Sequence, residues 1–223
     1  MIKYLWIVWL EAISPRTCKS CQRPLGFKDT VSEYCGACTL DWNYVGGDRV
    51  SNVLFSERFN AFWGTIGFRL IDGKTRSIVH LVKYSGSKKL VIELGKWFAK
   101  STLLPHENGV LLPVPIHWKR KLFRGYNQAE LLAKGMSQIW NVEVDTRSIQ
   151  RTAHKASLTS SDRRKRAEVI DGVFEKGIEY GDLETLVLIV DDVLTTGSTL
   201  RACRQLLEDN GRTVLGAVVL AIA

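Results

Sequence analysis

The sequence predicts an α/β fold, a parallel sheet flanked by helices, with a small cysteine-rich module in front of it. Three observations carry this reading. Apolar runs of strand length alternate with segments of helical period after about residue 46. The run Val187-Leu188-Ile189-Val190 is too short and too β-branched for a helix, and it leads into Asp191-Asp192 and then Thr195-Thr196-Gly197-Ser198-Thr199. Finally, Cys18-x-x-Cys21 and Cys35-x-x-Cys38 are separated by thirteen residues. The chain of 223 residues therefore divides into 1–45, an N-terminal helix and cysteine module, and 46–223, the α/β domain.

Met1 to Leu10 is strongly apolar but too short to cross a bilayer as a helix. Glu11 to Pro15 is a poor cleavage site, so the segment is read as a short helix that packs on the domain and ends at Pro15. Weak membrane contact by this helix is the competing reading. The rest has no long apolar run, and a cytoplasmic protein is expected.

The next elements follow in order. Gly46-Gly47 is a turn, and 51–69 is aromatic-rich with strand-like stretches. Residues 78–84 carry apolar positions near helical spacing. Lys88 to Lys100 is a helix with Leu90, Val91, Leu94, Trp97 and Phe98 on one stripe. Val110 to Pro115 is a strand stopped by its prolines. Gln128 to Trp140 is a helix that faces Ala129, Leu132, Ala133, Met136 and Ile139 inward. Residues 150–172 are basic and polar, and 173–175 is a short strand. Residues 186–190 form the strand before the acids, 198–210 a helix with Gly211 after its end, and 214–222 a last buried strand. Cys203 falls within that helix as a small core residue.

Each CxxC lets two thiolates converge on one ion from a tight turn, so Cys18, Cys21, Cys35 and Cys38 read as a closed, structural zinc ribbon. Two disulfides, or a redox role for one pair, are the weaker alternatives.

Asp191 and Asp192 are too costly to bury unless something positive or hydroxylated meets them. They fall at a strand end, where open α/β sheets bind ligands. The 195–199 turn starts a helix, whose unpaired N–H groups and dipole favour a phosphate. Two acids plus five turn residues exceed what a helix cap needs. Arg124-Gly125 offers a planar fork and a turn that permits close backbone approach to an anion, with Lys119-Arg120-Lys121 beside it. The net charge of +8 suits an anionic ligand, nucleic acid included. Trp118, Phe123 and Tyr126, interleaved with these cations, hint at a nucleic-acid groove.

Residues 187–199 resemble the 5-phosphoribosyl-1-pyrophosphate (PRPP) signature of type I phosphoribosyltransferases. Pro113-Val114-Pro115, Arg124-Gly125-Tyr126-Asn127-Gln128-Ala129, Lys83-Tyr84 and the paired CxxC together resemble the ComF family over nearly the whole chain. The resemblance implies a type I phosphoribosyltransferase-like sheet with PRPP on Asp191, Asp192, Val193, Leu194, Thr195, Thr196, Gly197, Ser198 and Thr199. Arg124, Gly125 and Lys83 would hold the pyrophosphate with Mg²⁺. Asp191 and Asp192 would be the catalytic acids if transfer to an acceptor occurs. It also implies a link to DNA uptake in competence, with single-stranded DNA and competence helicase or processing proteins as partners. A PRPP sensor or DNA-binding accessory without transferase activity is the alternative. One segment departs from the family's pattern: Val169 replaces an asparagine and Leu158 a glutamine in the mobile basic loop around Arg163-Arg164-Lys165-Arg166.

Overall fold

The computed structural model describes residues 17–18, 22–25, 79–80, 82–83, 88–102, 104, 109–151, 173–178 and 183–221, and the backbone of 63–69 and 222. The N-terminal helix, Cys21, Cys35, Cys38, the 45/46 boundary and the 163–166 run lie outside these residues.

Four parallel strands form the main sheet: β1 (Trp63–Arg69), β2 (Gly109–Pro113), β5 (Leu186–Leu194) and β6 (Val214–Ile222), in the order β1-β6-β5-β2. Their registers include Leu111 opposite Leu188 and Val190 opposite Val218. A separate antiparallel pair joins β3 (Ile149–Arg151) to β4 (Phe174–Lys176). The helices are α1 (Lys88–Lys100), α2 (Trp118–Arg124), α3 (Gln128–Trp140) and α4 (Ser198–Asp209).

The central strands are apolar on both faces, as a sheet covered on both sides requires. Side chains alternate between two cores. Leu111, Leu188, Val190, Val218 and Leu220 meet Leu94 and Phe98 of α1 and Leu132 and Met136 of α3. Leu112, Ile189, Ala217 and Val219 meet Leu200, Cys203 and Leu207 of α4, together with Ile149 and Phe174 of the hairpin. Cys203 is thus a core residue, as expected, and burial pushes its thiol well above its ordinary value.

The bounds of α1 and α3 match those expected from sequence, with two changes on their faces. Trp97 is only partly buried, while Gly95 and Ala99 join the buried stripe of α1. Ile139 is 38% exposed rather than core. The glycines Gly95 and Gly135 bring α1 and α3 to backbone contact. A Cβ on Gly95 would fall on the Leu132 carbonyl oxygen, and one on Gly135 on that of Ile92. We expect Gly135→Ala to destabilise the chain by about 1–3 kcal/mol through overpacking, more than the ~1 kcal/mol by which a helix favours alanine. An unchanged or raised urea midpoint would show that the two helices can part freely.

Three elements differ from expectation. β5 runs on to Leu194, because Asp191, Val193 and Leu194 continue the ladder with Val219, Ala221 and Ile222 of β6. The 118–124 segment is a helix, begun at His117 and closed by Gly125. The short strand expected at 173–175 is 174–176, and it pairs antiparallel with β3 rather than joining the parallel sheet.

Candidate functional site

The site forms where β2 stops and β5 does not. Pro113 is the last residue of β2 in register, opposite Val190, and Val114 N–H still donates to Val190 O at 2.8 Å. Pro115 has no N–H to extend the ladder. Beyond it β5 is paired on one side only, and Asp191 and Asp192 face a cleft of about 220 Å³. Of the residues expected at a ligand, Lys83, Arg124, Asp191, Asp192, Val193, Thr195 and Thr199 line this cleft. Gly125, Thr196, Gly197 and Ser198 are not in its wall, although they shape the loops beside it. Leu194 was expected at the ligand, but its side chain is buried in the core with Leu200.

The acid pair is electrostatically strained. Asp191 Oδ1 accepts from the Asp192 backbone N–H at 2.8 Å. Burial, and the neighbouring Asp192 carboxylate, raise the Asp191 carboxyl to about 8, so Asp191 keeps its proton at neutral pH. Lys83 Nζ lies 3.4 Å from Asp192 Oδ2, so this lysine, expected on the ligand, is paired with the acid.

α4 begins beside them. Its N-cap is Gly197 at φ 75°, which has no side chain to cap the helix. Thr196 Oγ1 makes only a long contact, 3.4 Å, with Ser198 N, and lies 3.0 Å from Ser198 Oγ. The 195–199 turn is therefore no ordinary side-chain cap, and its N–H donors suit an anion.

On the other side, α2 and α3 carry the arginine loop. Gly125 takes φ 76°, and its N–H closes α2 on Lys121 O at 2.8 Å. The left-handed turn is what demands glycine there. Asn127 caps α3: its Oδ1 accepts from Ala129 N at 3.1 Å, and its Nδ2 donates to Val114 O at 3.0 Å. Tyr126, grouped by sequence with the exposed aromatics, is core instead, and its hydroxyl donates to Val82 O at 2.9 Å. Trp118 and Phe123 are exposed, at 52% and 83%. Arg120, expected beside the arginine loop, lines the cleft as well, and so do Gln128 and Arg151, which were not anticipated there. For Arg151 no sequence signal existed, since it stands at the edge of a basic, polar stretch.

At the N-terminal module, Cys18 N–H donates to Arg23 O and Cys18 O accepts from Gln22 N, both at 2.7 Å. Gln22 takes φ 60°, and Thr17 bridges Pro24. The other three cysteines lie outside the described residues, and no group of three or more potential metal ligands occurs within them. No described helix is long and apolar enough to cross a membrane.

No family model matches the chain. It is 33% identical to Competence protein F of Haemophilus influenzae over 105 residues, 45% of this chain and 44% of that protein. It is 30% identical to DNA utilization protein YhgH of Escherichia coli O157:H7 over 140 residues, 60% and 61% of the two chains. Competence protein ComFC of Bacillus subtilis is 26% identical over 205 residues, covering 91% of this chain and 76% of that one. The names of these relatives support a ComF-type protein, at modest identity. The chain spans less than two thirds of the length of the first two relatives. Among solved structures, the AQ2163 protein of Aquifex aeolicus covers 70% of this chain and 86% of its own at 14% identity, with a TM-score of 0.36, too slight a likeness to bear on the fold.

Proposed function

We propose that this chain is a ComF-type protein that binds PRPP with Mg²⁺ in the cleft at the end of β5 and serves DNA uptake or utilization. The observation that carries the reading is the meeting of an acid pair, an uncapped helix N-terminus and several cations in one cleft. Asp191 and Asp192 accept hydrogen bonds from ribose hydroxyls, the 195–199 turn holds the 5′-phosphate, and Arg124 faces the pyrophosphate. Mg²⁺ would screen the charge of the pyrophosphate and bring its waters to the carboxylates. In a transfer reaction, an acceptor would form its bond to ribose C1 as the bond to pyrophosphate breaks, and the two carboxylates would stabilise positive charge on the ring. The described cleft wall holds no histidine and no third carboxylate to act as a base for that acceptor. A PRPP sensor would use the same residues without the transfer step. The names of the relatives, competence and DNA utilization, support the cellular role. Calorimetry with PRPP, Mg²⁺ and short single-stranded DNA, alone and combined, tests the reading. Absence of PRPP binding with Mg²⁺ would overturn it.

α2 favours a nucleic-acid contact in addition. It buries none of its residues, and Lys119 Nζ sits 5.4 Å from the Trp118 ring. Exposed aromatics among cations suit stacked bases and a phosphate backbone. Single-stranded DNA should bind with affinity that falls steeply with salt, and neutralising Lys119, Arg120 and Lys121 should flatten that slope by about 0.7 for each phosphate no longer neutralised. A slope unchanged in the triple variant places the contact elsewhere. Competition by PRPP would mean that the two ligands share Arg120 and Arg124, which are on α2 and line the cleft.

We propose also that Cys18, Cys21, Cys35 and Cys38 hold one structural zinc. Serine at any one of them should release the metal and unfold the N-terminal module. Elemental analysis of protein purified without added zinc checks this, and stoichiometric disulfides without metal would refute it.

A further inference from the structure

Two donors in the cleft are used by neither the acid strand nor the arginine loop. Gln128 opens α3, lines the cleft and is only 1% exposed. Arg124 Nη1 donates to its Oε1 at 3.3 Å. A guanidinium only donates, so this contact fixes which end of the amide is oxygen. The Nε2 end is left buried without a hydrogen-bond partner. Buried donors are rarely left unpaired, and an orphan in a cleft wall points to an acceptor that a ligand would bring. Asn127 cannot supply one, because both ends of its amide are spent on α3 and Val114. Glu130, the acid in the first turn of α3, lines an adjoining depression with Lys121 rather than this cleft.

Arg151 is the second donor. It reaches the cleft from β3, stacked 5.3 Å over the Phe174 ring. Among the described residues its guanidinium makes no hydrogen bond or ion pair. Burial, with the Arg120 charge, pushes it below its ordinary value, which leaves a cation that an incoming anion would stabilise. The N-terminus of α3, with its positive dipole end, opens on the same space. Four cationic side chains, Lys83, Arg120, Arg124 and Arg151, thus face two carboxylates in this wall.

We infer that Gln128, through Nε2, and Arg151 are ligand-binding residues that take a second anionic group, a diphosphate on the same ligand whose monophosphate the 195–199 turn holds. The inference rests on the sugar-phosphate reading above. It names the residues that make the cleft prefer a sugar diphosphate ester to the simple monophosphate.

The test titrates the full chain with PRPP, ribose 5-phosphate and inorganic pyrophosphate, each with Mg²⁺. Gln128→Met keeps the side-chain length and removes the amide. It should weaken PRPP and pyrophosphate by about tenfold or more and leave ribose 5-phosphate unchanged. Its melting temperature should hold or rise, since an unpaired buried donor is gone. Arg151→Gln should give the same pattern of binding. Equal losses on PRPP and ribose 5-phosphate would overturn the inference, as would unchanged PRPP and pyrophosphate affinities in both variants. If wild type binds pyrophosphate but neither sugar phosphate, and the variants lose it, the sugar reading fails while the diphosphate residues stand. Wild type binding none of the three overturns both.

Discussion

Replacing Asp191 and Asp192 together by asparagine is expected to weaken Mg²⁺-dependent PRPP binding by roughly 10²–10⁴-fold, the loss of two hydrogen bonds to charged acceptors. Inorganic phosphate, held by the 195–199 turn, should not weaken, because removing negative charge beside it can only help an anion. The two ligands therefore separate a lost sugar site from a misfolded loop. Calorimetry on both decides it, and an unchanged PRPP affinity would refute the site. Asp191 also predicts a pH dependence. Its carboxyl proton, held up to about pH 8, must leave before both carboxylates can accept from hydroxyls or metal-bound water. PRPP affinity should therefore rise with pH up to that point. The stability effect has the opposite sign. The folded chain keeps a proton that the unfolded chain releases above the ordinary value of 3.8, so this group's contribution falls as pH rises between there and about 8. Asp191→Asn should thus raise the melting temperature more at the alkaline end of that window than at the acid end. Equal shifts at both ends would mean that the acid is not held protonated.

The parts of the fold written by local physics were legible. α1 and α3 carry strong apolar stripes, and their bounds at Lys88–Lys100 and Gln128–Trp140 follow from those stripes and, for α3, the Asn127 cap. The last strand is an unbroken apolar run and is found at Val214–Ile222. The parts that depend on distant partners were not legible. Two acids read as the end of a strand, yet β6 offers Val219 and Ala221 as ladder partners and carries β5 on to Leu194. α2 has no buried face, so no periodicity announces it. β3 and β4 are three residues each and pair across more than twenty residues of chain, which local pattern cannot find. The same limit governs the site. Asp191, Asp192, Thr195 and Thr199 sit in one contiguous motif and were found together. Gln128 reads as an ordinary first-turn residue until its amide is seen to be buried, and Arg151 reaches the cleft only because the hairpin puts it there. Tyr126 shows the converse: its neighbours are cationic, but Val82 claims its hydroxyl and the core its ring.

The hairpin is itself held by a buried charge, and breaking that charge pair should give the largest loss of stability outside the N-terminal module. Arg212, 2% exposed, donates from Nη1 to Asp145 Oδ2 at 2.8 Å and to Ser148 Oγ at 3.0 Å. Asp145 also accepts from the backbone N–H groups of Arg147 and Ser148, at 3.0 and 2.9 Å, and from the Ser148 hydroxyl. Asp145 N–H donates to Leu111 O at 2.8 Å, so the whole segment is pinned to the edge of β2 before it enters β3. Burial alone would raise the Asp145 carboxyl, but the hydrogen bonds from Ser148, Arg147 and Arg212 outweigh it and hold it below the usual carboxylate value. Asp145→Ala leaves the Arg212 charge buried without its carboxylate and should cost about 3–5 kcal/mol. Adding Arg212→Met should recover part of that loss, because a buried pair replaced by an apolar side chain is far less costly than a buried lone charge. A group with a depressed folded value contributes stability above its unfolded value, lost as pH falls through the folded one. Wild type should therefore lose more stability on acidification below pH 3.8 than the double variant does. Urea titrations at neutral and acid pH measure all three chains. An Asp145→Ala cost no greater than that of the double variant would mean that Arg212 finds other company, and that β3, with Arg151 on it, is held in place by the apolar contacts of Ile149 and Phe174 alone.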